Sequence, residues 1–489
     1  MIRRLVHIAL YQPLMVLLGL LIFVGCGIAA FRTLPIEAFP DVSDTQVTVI
    51  GLFPGRAAEE VERQVTLPIE VSLSGLPDSV RLFSHTMFGL AFTMVTFNDK
   101  PSDLIARQRV NERLQTLDLP AGVDVSILPP QTAIGEIFRF RLRGDGYTPQ
   151  QLRTLQDWVV EKHLRRVPGI ADVVTMGGSI KQYEVGPDMQ RLRDHGLNLG
   201  DLFTALQRAN SNVGGGAVSH GSQQYLIRSI GELRTSADIE NVVVGVNKGV
   251  PVLVKDVASV RLGGAPPQGI VGQTVEGHDD DDIVNGIVIM RKGENPSSVL
   301  NGIKDKVAYI NAKLLPKGVE IVPYYDRSWL IGKTLTTVFH NLLEGAILVC
   351  LVLVLFLTNI RAAMIVAAVI PLSLLATFLG LTVIGIPANL LSLGAMDFGI
   401  IVDGAVIVVE NIFRRLGQLK ESEISDRDAR RNAVLEATVE VGRPTLFSML
   451  IIIVAHVPIF TLQRHEGRIF SPMAWTVSSA LVGSLILSL

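Results

Sequence analysis

The chain has 489 residues and a formal net charge of −2, a length that calls for more than one hydrophobic core. Charged residues are 18% of it against about 25% in soluble chains, and the mean hydropathy is +0.40, so apolar membrane segments are averaged with an ordinary polar domain. The charge balance gives no reason to expect nucleic acid as a partner, the wealth of Leu, Ile, Val and Phe excludes a disordered chain, and two cysteines, Cys26 and Cys350, exclude a disulfide framework or a CxxC metal pair.

In chain order, Arg3 and Arg4 precede an uncharged apolar run, 14–31. It is longer than the ~7–15 residues of a signal-peptide core and reads as a membrane span. A polar stretch of roughly 300 residues follows, which the pattern of apolar runs and breakers divides into alternating elements. A strand is predicted at 45–52, a helix at 56–73, two strands within 79–97 around Phe88-Gly89, and a helix at 102–117 ended by Leu119-Pro120-Ala121-Gly122. A second round gives a strand at 136–142, a helix at 148–166, strands at 170–176 and 181–185, and a helix at 198–210. The region 213–277 is rich in glycine and strand formers and reads as an insertion. Strand, helix and strand then recur at 283–290, 296–314 and 319–325. This alternation predicts repeated split-βαβ units.

Five further apolar runs, near 338–357, 362–384, 390–409, 445–462 and 470–489, are each about long enough to cross a bilayer. A charged helix is predicted at 422–442, and both cysteines are expected to be packing residues. Arg3 and Arg4, and the Lys/Arg-rich loop between the fourth and fifth spans, belong on the cytoplasmic side by the positive-inside rule. The long polar segment then lies outside. Six spans in a one-plus-five arrangement result.

The fourth span carries the chemistry. Asp397 and Asp403 lie inside an apolar run and Glu410 stands at its end. A carboxylate at mid-bilayer costs about 2.5–3.5 kcal/mol on insertion scales, so it is expected to serve a function. Asp403 and Glu410 are seven residues apart, about two turns, and share a helix face within roughly 20°, while Asp397 is turned about 120° away. Desolvation pushes such acids toward neutrality, where they can take a proton on one side and release it on the other. A proton relay through Asp397, Asp403 and Glu410 is predicted, with water or other helices bridging the gaps.

The segment Asp397-Phe-Gly-x-x-x-Asp403-Gly-Ala-x-x-x-x-Glu410-Asn411 closely resembles the fourth membrane helix of the heavy-metal efflux branch of the RND transporters, the cobalt–zinc–cadmium type. Pro35-Ile-Glu-Ala-Phe-Pro40-Asp41-Val, Phe53-Pro54-Gly55-Arg56-Ala-Ala-Glu59-Glu60-Val-Glu62 and Arg291-Lys292-Gly293-Glu294-Asn295-Pro296 carry the same resemblance elsewhere in the chain. It implies an α-helical membrane bundle with a large periplasmic α+β domain of split-βαβ, ferredoxin-like porter subdomains. It also implies a proton/cation antiporter rather than an enzyme, with zinc, cobalt, cadmium or nickel as transported substrate and no resident cofactor. The implied setting is a homotrimer in the lipid of a bacterial inner membrane, amino terminus in the cytoplasm, working with a periplasmic adaptor (membrane fusion) protein and an outer-membrane channel. The drug-exporting branch usually has two adjacent aspartates where this chain has Asp403-Gly404, which argues against a drug pump. A multidrug or lipid exporter, or a non-transporting scaffold, is the alternative.

Division of the chain follows: 1–32 the amino terminus and first span, 33–133 a first porter subdomain, 134–210 the first part of a second, 211–277 a docking insertion, 278–330 the remainder of the porter region, and 331–489 the other spans with a cytoplasmic loop at 414–444. The last run ends with no polar stop, which predicts about half of a larger pump. Glu136 and Asp172 fall on consecutive strands, which as neighbours could bring them together facing the cleft, and in related zinc exporters carboxylates at comparable positions help line a metal site. His278-Asp279-Asp280-Asp281-Asp282 could gather cations but reads more simply as a solvated loop. Gly332-Lys333-Thr334 fails as a P-loop because Arg327 stands where the first glycine is needed.

Overall fold

The computed structural model describes residues 2–37, 39–132, 134–221, 223–229, 231–265, 269–275, 277–357, 359–396, 398–419 and 426–488. Two four-stranded antiparallel sheets carry the outer domain. In the first, the strands in spatial order are Ser79–Met87, Leu90–Phe97, Gln46–Leu52 and Asp124–Ile127. In the second they are Ile170–Met176, Val284–Met290, Glu136–Gly144 and Val319–Asp326. Numbered along the chain within each sheet, both orders are 2-3-1-4, with a helical segment after strand one and another after strand three.

The helical segments share a detail as well as a position. Val61, Val65, Ile69 and Leu73 are buried in the first unit, and Leu152, Gln156, Val160 and Leu164 in the second. A stride of four outruns the 3.6 residues of an α-turn, so an unbroken α-helix would rotate such a row off the core. Each helix has a π-type stretch at its middle, Glu62–Thr66 and Gln156–Val160. The wider i→i+5 turn takes up the drift and keeps the row facing the sheet. The buried row packs on Val47, Val49, Ala91 and Val95 in the first unit, and on Phe138, Phe140, Val173 and Val288 in the second.

Between the second and third strands of the second sheet the chain leaves it. Lys181–Pro187 pairs with Ala258–Gly264, and Leu192, Leu202, Ile239, Val252, Val254 and Val257 close a separate small core. A hairpin, Val213–His220 with Gln223–Ser229, leaves Tyr225, Leu226 and Ile227 exposed.

Six helices among the described residues are long and apolar enough to cross a membrane. Ile360–Ile384 is central, packed by Pro13–Thr33, Phe398–Gly417 and Arg464–Ser488. Close approach is allowed by small residues: a Cβ added to Gly483 would lie 2.2 Å from that of Ala376, and one at Gly380 2.3 Å from Ser479 Oγ. Two expectations are corrected. The charged helix, of which 422–425 lie outside the described residues, and the fifth span run on as one helix, Arg427–Ala455, with Gly442 and Pro444 at their junction accommodated inside it. Pro458 sits in the short 3-10 turn Val457–Thr461 after the helix has ended. The cysteines do not fill a core: Cys26 is exposed and Cys350 part-buried, since an apolar residue on a membrane helix can face lipid instead of protein.

Candidate functional site

The fourth span is built in two pieces. Leu390–Gly394 opens on a capping box in which Asn389 accepts from the Ser392 amide at 2.8 Å, and Phe398–Gly417 continues it. Asp397 lies outside the described residues. Ile401, Val402, Ala405 and Val408 are buried against the bundle, whereas Ile400, Asp403, Ile407 and Glu410 are exposed. The spacing of three, four and three places these last four on one stripe of the helix. Asp403 and Glu410 therefore do share a face, and it is an exposed face of the helix.

Gly404 points the other way. A Cβ there would meet Met449 Cε at 2.4 Å and Thr445 Cγ2 at 3.3 Å. The second aspartate of the drug-exporting branch thus has no room at this position. Gly404→Ala is expected to cost little, because the end of Met449 can move. Gly404→Asp sets a carboxylate against a thioether and a methyl, and a loss of about 3 kcal/mol is expected, read as a lowered thermal midpoint of the detergent-solubilised full-length protein.

At its far end the helix is tied to its neighbour. Asn411, buried, donates to the Ala437 carbonyl at 2.8 Å and to Glu440 at 3.2 Å, and Arg415 donates to the same Glu440 carboxylate at 3.2 Å. Sequence reading passed over this cluster, although Asn411 directly after Glu410 in an apolar helix is a polar residue in need of partners.

In the outer domain, Glu136 and Asp172 both register against Ile289, one on each side of the central strand. They are therefore not on neighbouring strands but two strand spacings apart, about 10 Å, with Ile289 between. Each is paired with an arginine, Glu136 with Arg139 and Asp172 with Arg165 at 2.5 Å. Among the described residues no group of three or more His, Cys, Asp or Glu could hold a metal ion. The acidic run is likewise engaged locally: Asp279 accepts from Thr274, Asp280 lies 3.8 Å from Arg141, and Asp282 accepts from the Gly178 amide.

A further cluster joins membrane and outer domain. Arg464, His465 and Arg468, at the start of the sixth span, meet the buried Asp44 at 2.7, 3.7 and 3.2 Å, and Arg468 also reaches Asp99. Burial works to raise the Asp44 carboxyl, but the hydrogen bond from Arg464 and the charges of Arg464, His465 and Arg468 prevail and hold it below the ordinary value. The contact is thus at full strength at neutral pH and is lost only as pH falls through that lowered value. No single stretch signals it, because Asp44, Asp99 and Arg464 come from three distant parts of the chain.

Comparison with known proteins places these features. A family model described as the AcrB/AcrD/AcrF family matches residues 5–489. Cation efflux system protein CzcA of Alcaligenes sp. (strain CT14) is 42% identical over 501 residues, covering 100% of this chain and 47% of that protein. Cation efflux system protein CusA of Escherichia coli (strain K12) is 34% identical over 499 residues, with the same coverage. A crystal structure of a heavy metal efflux pump, crystal form II, superposes with a TM-score of 0.90 at 40% identity, over 99% of this chain and 47% of that one. The chain spans about half the length of the curated relatives it matches.

Proposed function

The chain belongs to the AcrB/AcrD/AcrF family, and on that premise we propose that it works within a proton-driven efflux pump for divalent heavy-metal cations. The observation that carries this reading is the stripe of the fourth span on which Asp403 and Glu410 stand two turns apart. Two acids on one exposed face of an apolar helix supply a proton pathway that opposes or accompanies cargo. Asp397 belongs to the same proposed relay. The relatives named for cation efflux, and the glycine at 404, favour a metal over a drug or lipid as cargo.

We read the two sheets as split-βαβ, ferredoxin-like porter subdomains. The inserted unit is drawn at 181–264 rather than 211–277, because Leu192 and Leu202 share its core. Its exposed hairpin suits contact with another copy in a homotrimer. The outer domain is assigned to the periplasm, with an adaptor protein and an outer-membrane channel beyond it. Arg414, Arg415 and Arg431 at the inner ends of their spans, outnumbering Arg464 and Arg468 at the outer end of the sixth, support an amino terminus in the cytoplasm of an inner-membrane protein.

Glu136 and Asp172 are proposed to contribute two ligands to a cargo site, released from Arg139 and Arg165 when a divalent cation arrives; further ligands come from outside the described set. Glu136→Ala with Asp172→Ala in the full-length protein is expected to weaken zinc binding at least about tenfold, as loss of ligands or their supporting partners does. Isothermal titration with zinc checks this, and unchanged affinity removes both residues from the site.

The overall reading is tested by reconstituting the full-length protein in liposomes, imposing a proton gradient, and following zinc, cobalt, cadmium and nickel one at a time beside a fluorescent dye. Gradient-dependent flux of at least one metal and none of the dye is expected. Dye flux without metal flux would turn the assignment toward the drug-exporting branch.

A further inference from the structure

Past the first span, Ile36–Glu37 forms a two-residue strand, paired in parallel with Ala388–Asn389, Ile36 opposite Ala388 and Glu37 opposite Asn389. The Ala388 amide donates to the Pro35 carbonyl at 3.0 Å. Asn389 in turn caps the helix that opens the fourth span. The exit of the first span and the entry of the span bearing Asp403 are therefore fastened backbone to backbone.

Two buried polar atoms at this joint have no hydrogen-bond partner, Glu37 Oε2 and Asn389 Nδ2. Both residues line one cavity of about 440 Å³ between the bundle and the outer domain, polar enough and large enough to admit water. The charged groups around Glu37 come from every element packed there: Asp41 on its own loop, Lys292 and Asp99 from the outer domain, Arg327 at the start of the second span, and Arg464 and Arg468 at the start of the sixth. Each of these cations has another acceptor. Lys292 bonds Asp103 at 3.3 Å, Arg327 donates to the Ile134 carbonyl, Arg464 holds Asp44 and Arg468 holds Asp44 and Asp99. Glu37 is thus a carboxyl beside a cavity, among cations already engaged elsewhere. Burial, with Asp41 adding and Arg327 opposing, pushes it up to about 7 from an ordinary 4.5. Such a group exchanges its proton with water near neutrality, unlike a carboxylate locked in an ion pair.

We propose that Glu37 is a proton-carrying residue of the transport cycle, loaded from the outer side through this cavity and coupled to the fourth span by its strand pairing with Asn389. This rests on the proton-driven reading given above. A neutral Glu37 leaves the joint uncharged and can donate a hydrogen bond; an ionised one adds a charge that draws water, or one of the neighbouring cations, toward the entry of the fourth span.

The test uses the full-length protein in liposomes, with metal flux followed at outer pH from about 6 to 8 and infrared spectra recorded over the same range. Wild-type flux is expected to change about tenfold, as the protonated fraction of one group titrating near 7 does, and a protonated-carboxyl band is expected to fade in step. Glu37→Gln is expected to flatten the flux profile to within about twofold and to lack that component of the band, while Glu37→Asp restores a pH-dependent profile with a displaced midpoint. Glu37→Gln that keeps the wild-type profile and band overturns the role of Glu37 and leaves the proton-driven reading standing. A wild type that ignores the imposed gradient overturns that reading, and this inference with it. Because the infrared titration needs only wild-type protein, the absence there of any carboxyl titrating near neutrality overturns the assignment even where the glutamine variant fails to fold.

Discussion

Asp403→Asn in the full-length protein is expected to abolish gradient-driven metal flux, by a factor on the order of 10² or more, the scale on which removing a positioned proton carrier acts, while leaving metal binding in the outer domain intact. Asparagine matches aspartate in size and hydrogen-bonding reach but takes up no proton. The substitution therefore removes the titration while keeping a polar side chain of the same size. Asp403 sits on the exposed stripe of the fourth span, with Ile401, Val402, Ala405 and Val408 packing the other side, so the bundle that holds the helix is not disturbed. Asp403→Glu, which keeps a titrating group, is expected to retain a measurable part of the flux. Glu410→Gln is expected to lose less, because Glu410 lies further along the helix, one residue before the Asn411 cluster that ties it to its neighbour. Zinc flux in liposomes under an imposed gradient, with equilibrium zinc binding measured beside it, checks all three. Retained coupling in Asp403→Asn removes Asp403 from the relay.

The largest effect on stability is expected at Gly177. It follows the strand Ile170–Met176, where the chain leaves the second sheet for the inserted unit. Its φ is +73°, and a Cβ there would lie 1.9 Å from the carbonyl oxygen of Ile283, on the returning strand of chain. Arg153 donates to the Gly177 carbonyl at 2.9 Å, and the next amide, of Gly178, is held by Asp282 at 2.9 Å. The backbone is thus fixed from both sides, and an alanine has to push main chain rather than a side-chain end. Left-handed strain of about 1 kcal/mol adds to an overpacking cost of about 1–3 kcal/mol, so Gly177→Ala is expected to destabilise by roughly 2–4 kcal/mol. Gly146→Ala separates the two terms. That glycine has φ +81° but nothing within 4 Å of the added carbon, so only the strain of about 1 kcal/mol remains. Thermal unfolding of the two purified variants, read by limited proteolysis of the outer domain, checks the difference. Equal midpoints would falsify the claim that close approach, rather than φ alone, requires the glycine.

Much of the architecture was legible in residue order. Six apolar runs long enough for a bilayer need no partner to be recognised, because the penalty for exposing a backbone in lipid acts on each segment alone. The strands and helices of the outer domain were equally visible where apolar residues recur at two or at three to four. Boundaries were lost where the deciding term lies elsewhere. The predicted helix at 422–442, from 427 onward, and the predicted span at 445–462, as far as 455, are a single helix because continuity of a helix depends on hydrogen bonds between turns, not on where hydropathy changes. Leu192 and Leu202 belong with the inserted unit because of what they pack against, which composition does not record.

The candidate site divides in the same way. Asp403 and Glu410 are separated by two helical turns, and that spacing settles in the sequence that they share a face, since helix geometry is local. Which face it is was decided only by packing, when Val402, Ala405 and Val408 turned inward and the acids came to lie on the exposed side. Glu136 and Asp172 were placed in one row across a sheet by a third strand, Val284–Met290, more than 100 residues further along the chain. The joint of Asp44 with Arg464 and Arg468, and that of Glu37 with Asn389, bring together groups separated by some 350 residues or more. Local periodicity fixes the elements and the side on which their charges lie. Long-range burial alone selects which of those charges meet, because the cost of removing a carboxyl from water is set by every neighbour that surrounds it and not by its place in the chain.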